Sequence, residues 1–240
     1  MSVEQFVERY GPLFLINLPA RRDRRAEFEA ELARLGLSFQ HPQITLFPAV
    51  RPTTAEGFPT LGARGCFLSH KGALEAAMAA NCASVIICED DLDFAADFRD
   101  RLPGVMAALE RTEWDIFYAG YTSGPVGKSI CEDAGLFALP PEHEVICAHF
   151  YIVKGRAIAL LCAFLETVLS RPAGHPNGGP MHYDGALNTL RAQNPDLVTL
   201  AILPTLGTQR PSATDIHALK WFDRTPVIRS CVAILRRLRR

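Results

Sequence analysis

Short unbroken apolar runs alternate along the chain with segments whose apolar residues recur every three or four positions, a pattern that predicts strands and helices in turn. Strands are predicted over 12–18, 84–88, 114–119, 149–153 and 197–203. After the first of these, Phe28, Leu32 and Leu35 fall on one helical face, with Asp23 placed to cap the helix and Gly36 to end it. Helices are also predicted over 66–81, over 94–110 with a disturbance at Pro103-Gly104, and over 155–170. The stretch 41–65, with Pro42, Pro48, Pro52, Gly57, Pro59 and Gly62, reads as turns, and a loop carries Gly124, Pro125 and Gly127. Such alternation predicts an α/β fold: one sheet, mostly parallel, covered by helices on both faces. No internal repeat or low-complexity segment interrupts it.

One run stands apart from the others. Val85-Ile86-Ile87-Cys88 ends abruptly in Glu89, Asp90 and Asp91, with Asp93 close behind. An apolar run of this length reads as a buried strand, and ligands of open α/β sheets gather at the carboxyl ends of strands. Carboxylates so close raise one another's pKa unless a cation neutralises them, which points to a hard divalent metal and a phosphate-bearing substrate. The plain alternative is a solvated loop at a helix N-terminus, where acids are favoured by the dipole.

Composition narrows the class. With 240 residues, 48% hydrophobic and 21% charged, the chain is long enough for one large core. Its seven cysteines are odd in number and lack C-x-x-C spacing, which argues against both a disulfide framework and a zinc site and makes a reducing cytoplasm the expected setting. The apolar stretch Leu13-Phe14-Leu15-Ile16 follows Glu4 and Glu8 and is too short for a secretory signal, and no run is long enough to span a bilayer. The formal charge of −1 hides an asymmetry: residues 1–223 hold 19 basic and 26 acidic residues, a net of −7, whereas 224–240 holds six arginines and no acid. An acidic body argues against nucleic acid as a partner. In the tail, Val227, Ile228, Cys231, Val232, Leu235 and Leu238 recur at helical spacing among the arginines. That suits an interfacial helix on the inner face of an anionic membrane, the alternative being a helix packed on its own domain. The expected organisation is a globular domain over 1–223 and a basic amphipathic tail over 224–240.

Three segments in order, I-N-L-P-A-R-R-D-R-R at 16–25, G-A-R-G-C-F-L-S-H at 62–70 and V-I-I-C-E-D-D at 85–91, resemble glycosyltransferase family 25, the lipopolysaccharide and collagen galactosyltransferase group. A-H-F-Y-I-V-K-G-R-A at 148–157 and Tyr183-Asp184 are similar to later motifs of that family. Ala63 and Arg64 depart from it, since the family more often has Glu and an apolar residue there. The resemblance implies a GT-A fold, a UDP-sugar donor, most often UDP-galactose, a saccharide or glycolipid acceptor, and a divalent metal, commonly manganese. It implies that Asp91, with Asp93, meets the metal and that Glu89 or Asp90 meets the ribose or base. His217 is a candidate to complete the metal shell from the opposite side, and Arg210 to meet the diphosphate.

Other candidates come from the residues themselves. Arg21, Arg22, Arg24 and Arg25 follow the first strand, and basic residues in a first helical turn oppose the macrodipole, so a ligand for Arg21 and Arg24 becomes the favoured reading over a solvated helix start. Asn17 either satisfies the turn or touches the base. The family resemblance implies a site role for Ser69 or His70 in holding the acidic loop, although a lone histidine on such a face is more often structural. Inverting transfer needs a carboxylate to take the acceptor hydroxyl's proton, and Asp184 is the candidate, with a helix N-cap as its alternative. Gly174 to Pro180, rich in glycine and proline, is placed to close over the donor. The function expected is metal-assisted hexosyl transfer. A metal phosphohydrolase and a non-catalytic nucleotide-sugar binding module are the other classes.

Overall fold

The computed structural model describes residues 2–122 and 127–210. Eight strands form the main sheet: β1 (Leu13–Asn17), β2 (Ile44–Pro48), β3 (Ser84–Glu89), β5 (Ile116–Gly120), β6 (Lys128–Cys131), β7 (Leu136–Leu139), β8 (Phe150–Lys154) and β9 (Thr199–Ile202), in the order β2-β1-β3-β8-β5-β9-β7-β6. Pairing is parallel from β2 through β1 to β3 and between β5 and β9, while β8 and β7 run against their neighbours. Six of the eight strands therefore point the same way, and the mostly parallel sheet is present with two reversed members. A separate two-stranded sheet joins β4 (Leu92–Phe94) to β10 (Gly207–Gln209).

Helices cover both faces. Alternate residues of β3 separate into two cores, because successive side chains of a strand point to opposite sides. Ile86 and Cys88 pack with α1 (Val3–Tyr10), α2 (Arg22–Arg34) and α4 (Phe98–Glu110), through Phe6, Phe28, Leu32, Phe98 and Leu102. Val85 and Ile87 pack with α3 (Leu61–Ala79), α5 (Arg156–Ser170) and α6 (Tyr183–Gln193), through Phe67, Leu74, Leu161 and Leu187. Each such side chain, fully buried, contributes about 1.5–3 kcal/mol of transfer free energy.

Several elements depart from the expected pattern. The turn-rich stretch conceals β2, an edge strand that tolerates Pro48 at its last position because one side of an edge needs no ladder bond. Helix α3 begins at Leu61, five residues earlier than expected, because Thr60 accepts a hydrogen bond from the Ala63 amide at 2.9 Å and caps it. Asp23 does not cap α2; it lies in the first turn and pairs with Arg21, the residue at the cap position. Phe94 leaves the helix expected over 94–110 to end β4, and α1, β4, β6, β7 and β10 were not expected. The loop at Gly124 and Pro125 and the tail 224–240 lie outside the described residues.

Candidate functional site

Strands β1, β2 and β3 end side by side at Asn17, Pro48 and Glu89, so whatever follows them shares one rim of the sheet. Glu89 closes β3, and the tight connection to β4 turns Asp90 and Asp91 back beneath that rim, where both are buried. Arg24 reaches from α2 to neutralise them, 2.8 Å from Asp90 and 3.3 Å from Asp91. Asn17 donates to the other oxygen of Asp90 at 2.7 Å and to the Arg21 carbonyl at 3.2 Å. Gln209, at the end of β10, places its amide nitrogen 3.5 Å from Glu89 and 3.4 Å from Asp91.

These surroundings separate the three acids. Burial and the charge of Glu89 push the Asp91 carboxyl up to about 7, against the opposing pull of Arg24. Burial also raises Asp90, although Arg24 and Asn17 work to hold it down. Burial acts in the same sense on Glu89, but the hydrogen bond and charge of His70 outweigh it and leave that carboxyl below its usual value. Asp91 is thus a buried carboxylate whose side-chain contacts are all long, at 3.3–3.4 Å. That donor chemistry fits a hard divalent cation, with Asp91 as the residue to hold it.

The acids floor a cleft of about 240 Å³. Ile16, Leu18 and Val50 give it apolar walls, and the first turn of α3 enters through Leu61, Gly62 and Gly65. Gly65 is required by that approach: a Cβ there would sit 2.8 Å from the Val50 carbonyl oxygen and 3.1 Å from the Pro52 ring. Ser69, one turn on, ties the same wall by accepting from the Val50 amide at 2.8 Å and donating to the Gly65 carbonyl at 2.6 Å.

Behind the cleft lies a chain of contacts that join residues distant in sequence. His70, fully buried, meets Glu89 through Nε2 at 3.1 Å and the Tyr151 hydroxyl through Nδ1 at 3.0 Å. Tyr151 in turn bonds Tyr183 at 2.7 Å, and the Tyr183 ring stacks on the imidazole at 4.0 Å. His70 therefore holds the acidic segment, and Ser69 holds the opposite wall. Cys66 Sγ lies 3.7 Å from Glu89, and burial, with the neighbouring Glu89 charge, pushes its thiol well up. The signal for Cys66 with His70 was their spacing of four residues on a helix, and Tyr151 lies in the motif at 148–157; nothing local in the sequence marked Gln209 as a neighbour of the acids.

The structure brings Arg24, Glu89, Asp90 and Asp91 to the cleft, with Asn17 bonded to Asp90 from an adjoining groove that also holds Arg22 and Arg25. Arg21 pairs with Asp23 at 2.9 Å. Asp93 pairs with Arg210 at 2.5 Å, and Arg210 also meets Glu27 at 2.6 Å while its amide donates to the Asp91 carbonyl. Asp184 lies within α6, one residue past Tyr183, so the N-cap is His182; its carboxylate accepts from the Cys147 amide at 3.0 Å. The Gly174 to Pro180 segment packs on its own helices, with Arg171 bonded to the Asn177 and Gly178 carbonyls and Pro180 against Gly57. His217 lies outside the described residues.

An α/β sheet whose strand ends carry buried acids beneath an open cleft defines the class. A family model described as glycosyltransferase family 25 (LPS biosynthesis protein) matches residues 11–124. That segment, which holds β1 to β5 and the acids, is therefore similar to glycosyltransferase family 25. A glycosyltransferase 25 family member of Anopheles gambiae is 33% identical over 130 residues, 45% of this chain and 21% of its own length. Procollagen galactosyltransferase 1-A of Xenopus laevis is 30% identical over 129 residues, 46% of this chain and 21% of its own. The inactive glycosyltransferase 25 family member 3 of Mus musculus is also 30% identical over 129 residues, 46% of this chain and 22% of its own. The chain thus spans about a fifth of the length of the curated relatives it matches.

Proposed function

We propose that the chain is a metal-assisted, inverting glycosyltransferase that moves a hexosyl group, galactosyl before others, from a UDP-sugar to a saccharide or glycolipid acceptor of lipopolysaccharide or another surface glycan. The observation that carries this reading is the buried Asp91 beside Glu89 and Asp90 at the floor of the cleft. A divalent cation bound there, manganese in the first instance, would stabilise the charge that develops on the departing diphosphate. Asp91 would hold that cation. Asp93 would join it by giving up its pair with Arg210, and His217 remains the candidate on the opposite side. Glu89 or Asp90 would meet the ribose or base, with the apolar walls of Ile16, Leu18 and Val50 to take the ring. The first turn of α3 lines the same cleft, and its dipole favours phosphate. Arg24 orients both aspartates and keeps their charge tolerable while the site is unliganded. Asp184, held by the Cys147 amide, is proposed to take the acceptor hydroxyl's proton.

A second reading, a nucleotide-sugar binding module without turnover, draws support from the mouse relative, an inactive family member. The test is a screen of UDP-sugars with and without manganese, reading transferred and hydrolysed sugar by mass. Acceptor-dependent, manganese-dependent transfer that disappears in Asp91→Asn supports the transferase; phosphate or free sugar released without acceptor supports a hydrolase; bound donor with no product supports the module. Residues 224–240 are proposed to hold the protein on the cytoplasmic face of an anionic membrane. Among the described residues no helix is long and apolar enough to cross one.

A further inference from the structure

We propose that Cys66, His70 and Glu89 form a binding site for a borderline-soft divalent cation of the zinc class, distinct from the hard carboxylate position at Asp91. Cys66 and His70 are four residues apart on α3, so both side chains project from one face of the helix, toward the end of β3 where Glu89 sits. The three donor atoms, Sγ, an imidazole nitrogen and a carboxylate oxygen, all lie within 4.8 Å of one another. Glu89 Oε1 is 3.1 Å from His70 Nε2 and 3.7 Å from Cys66 Sγ. A tetrahedral ion with bonds of roughly 2.0–2.3 Å requires ligand separations of about 3.3–3.6 Å. The two separations from Glu89 are within a few tenths of an ångström of those edges, and Cys66 and His70 lie within 4.8 Å of each other, so side-chain adjustment brings the three donors onto one ion.

A second feature is independent of those distances. An imidazole that gives one nitrogen to a metal normally gives its other N–H to a fixed acceptor, which sets tautomer and ring orientation. Here Nδ1 meets the Tyr151 hydroxyl at 3.0 Å, the Tyr151 and Tyr183 hydroxyls share a hydrogen bond at 2.7 Å, and the Tyr183 ring stacks on the imidazole at 4.0 Å. Cys66 and Glu89 line the cleft, so the fourth coordination position opens toward it for water or a ligand. As the metal binds, the Cys66 proton leaves to solvent, and the imidazole proton that faces Glu89 at Nε2 moves to Nδ1, where the Tyr151 hydroxyl accepts it. A thiolate in the set selects zinc over manganese or magnesium. Because Glu89 also borders the proposed donor site, zinc and donor would exclude one another; that consequence rests on the reading above, whereas the site itself does not.

The test therefore reads coordination and not turnover. The full chain, reduced and stripped of metal, is titrated with cobalt(II) as a spectroscopic probe. One equivalent should give the strong visible bands of a tetrahedral ion and a near-ultraviolet thiolate charge-transfer band, both erased by zinc. Cys66→Ser should remove the charge-transfer band. A weak octahedral spectrum, or the same band in Cys66→Ser, overturns the proposal. Should that variant fail to fold, the wild-type chain decides: zinc at about ten times its Kd should slow alkylation of Cys66 by iodoacetamide about tenfold. Cys131, half-buried and outside the cluster, serves as the control, and an unchanged Cys66 rate relative to it overturns the site.

Discussion

Arg24 holds two buried carboxylates at once, with 11% of its side chain exposed, and its removal would leave both uncompensated. Breaking one partner from a buried pair costs about 3–5 kcal/mol, far more than losing a surface pair. Arg24→Ala should therefore lose about 3 kcal/mol in urea unfolding at pH 8. The loss should shrink toward pH 5, where Asp91 regains its proton and needs less of the guanidinium. A flat pH response would mean that Arg24 matters through packing alone. The sequence made Arg24 visible as a misplaced charge in a first helical turn and Glu89-Asp90-Asp91 visible as acids after an apolar run. It did not show that these two anomalies answer each other, because they lie 66 residues apart and meet only when β1 pairs with β3.

At the scale of elements, the cleft depends on how closely α3 approaches the chain that follows β2. Gly65→Ala places a methyl group 2.8 Å from a backbone oxygen, which cannot swing aside as a side chain would. Overpacking of this kind costs about 1–3 kcal/mol, and here the relief would be movement of α3 away from Val50 and Pro52. The variant should lower the melting temperature and weaken UDP binding together, as read by thermal scans and calorimetric titration. Unchanged UDP affinity in a destabilised Gly65→Ala would show that the moved wall does not contact the nucleotide. The buried strands β1, β3, β5, β8 and β9 were legible because each is an apolar run covered on both faces. β2 was hidden, since at the sheet edge only Ile44 is buried, and Pro42 before it and Pro48 at its end imitate a turn. β6 was hidden for a related reason: it is mostly exposed and carries little apolar signal. β4 and β10 have three residues each and exist by pairing with one another across the sequence, which no local pattern reveals.

For the molecule as a whole, the acids link folding to pH and to metal. An ordinary aspartate loses its proton near pH 4, whereas Asp91 in the folded chain retains it to about 7. Between those values the native state binds more protons than the unfolded one, so Asp91 makes stability fall as pH rises from about 4 to 7 and contributes no further slope above that. Asp91→Asn has no carboxyl to ionise, and in metal-free buffer at pH 7 it should be the more stable protein, with a flatter profile across that window. Manganese should reverse the order in the wild type. Held as proposed by the deprotonated Asp91 carboxylate of the folded state, it should gain affinity through pH 7, and at a hundred times its Kd it would add about 2.7 kcal/mol. For a chain of this length that is a rise of roughly 5–11 °C in melting temperature, present at pH 8, small at pH 5.5 and missing in Asp91→Asn. Thermal scans at the two pH values, with and without manganese, separate the contributions. An equal manganese shift in wild type and Asp91→Asn would place the cation elsewhere and remove the physical basis for metal-assisted transfer at this cleft.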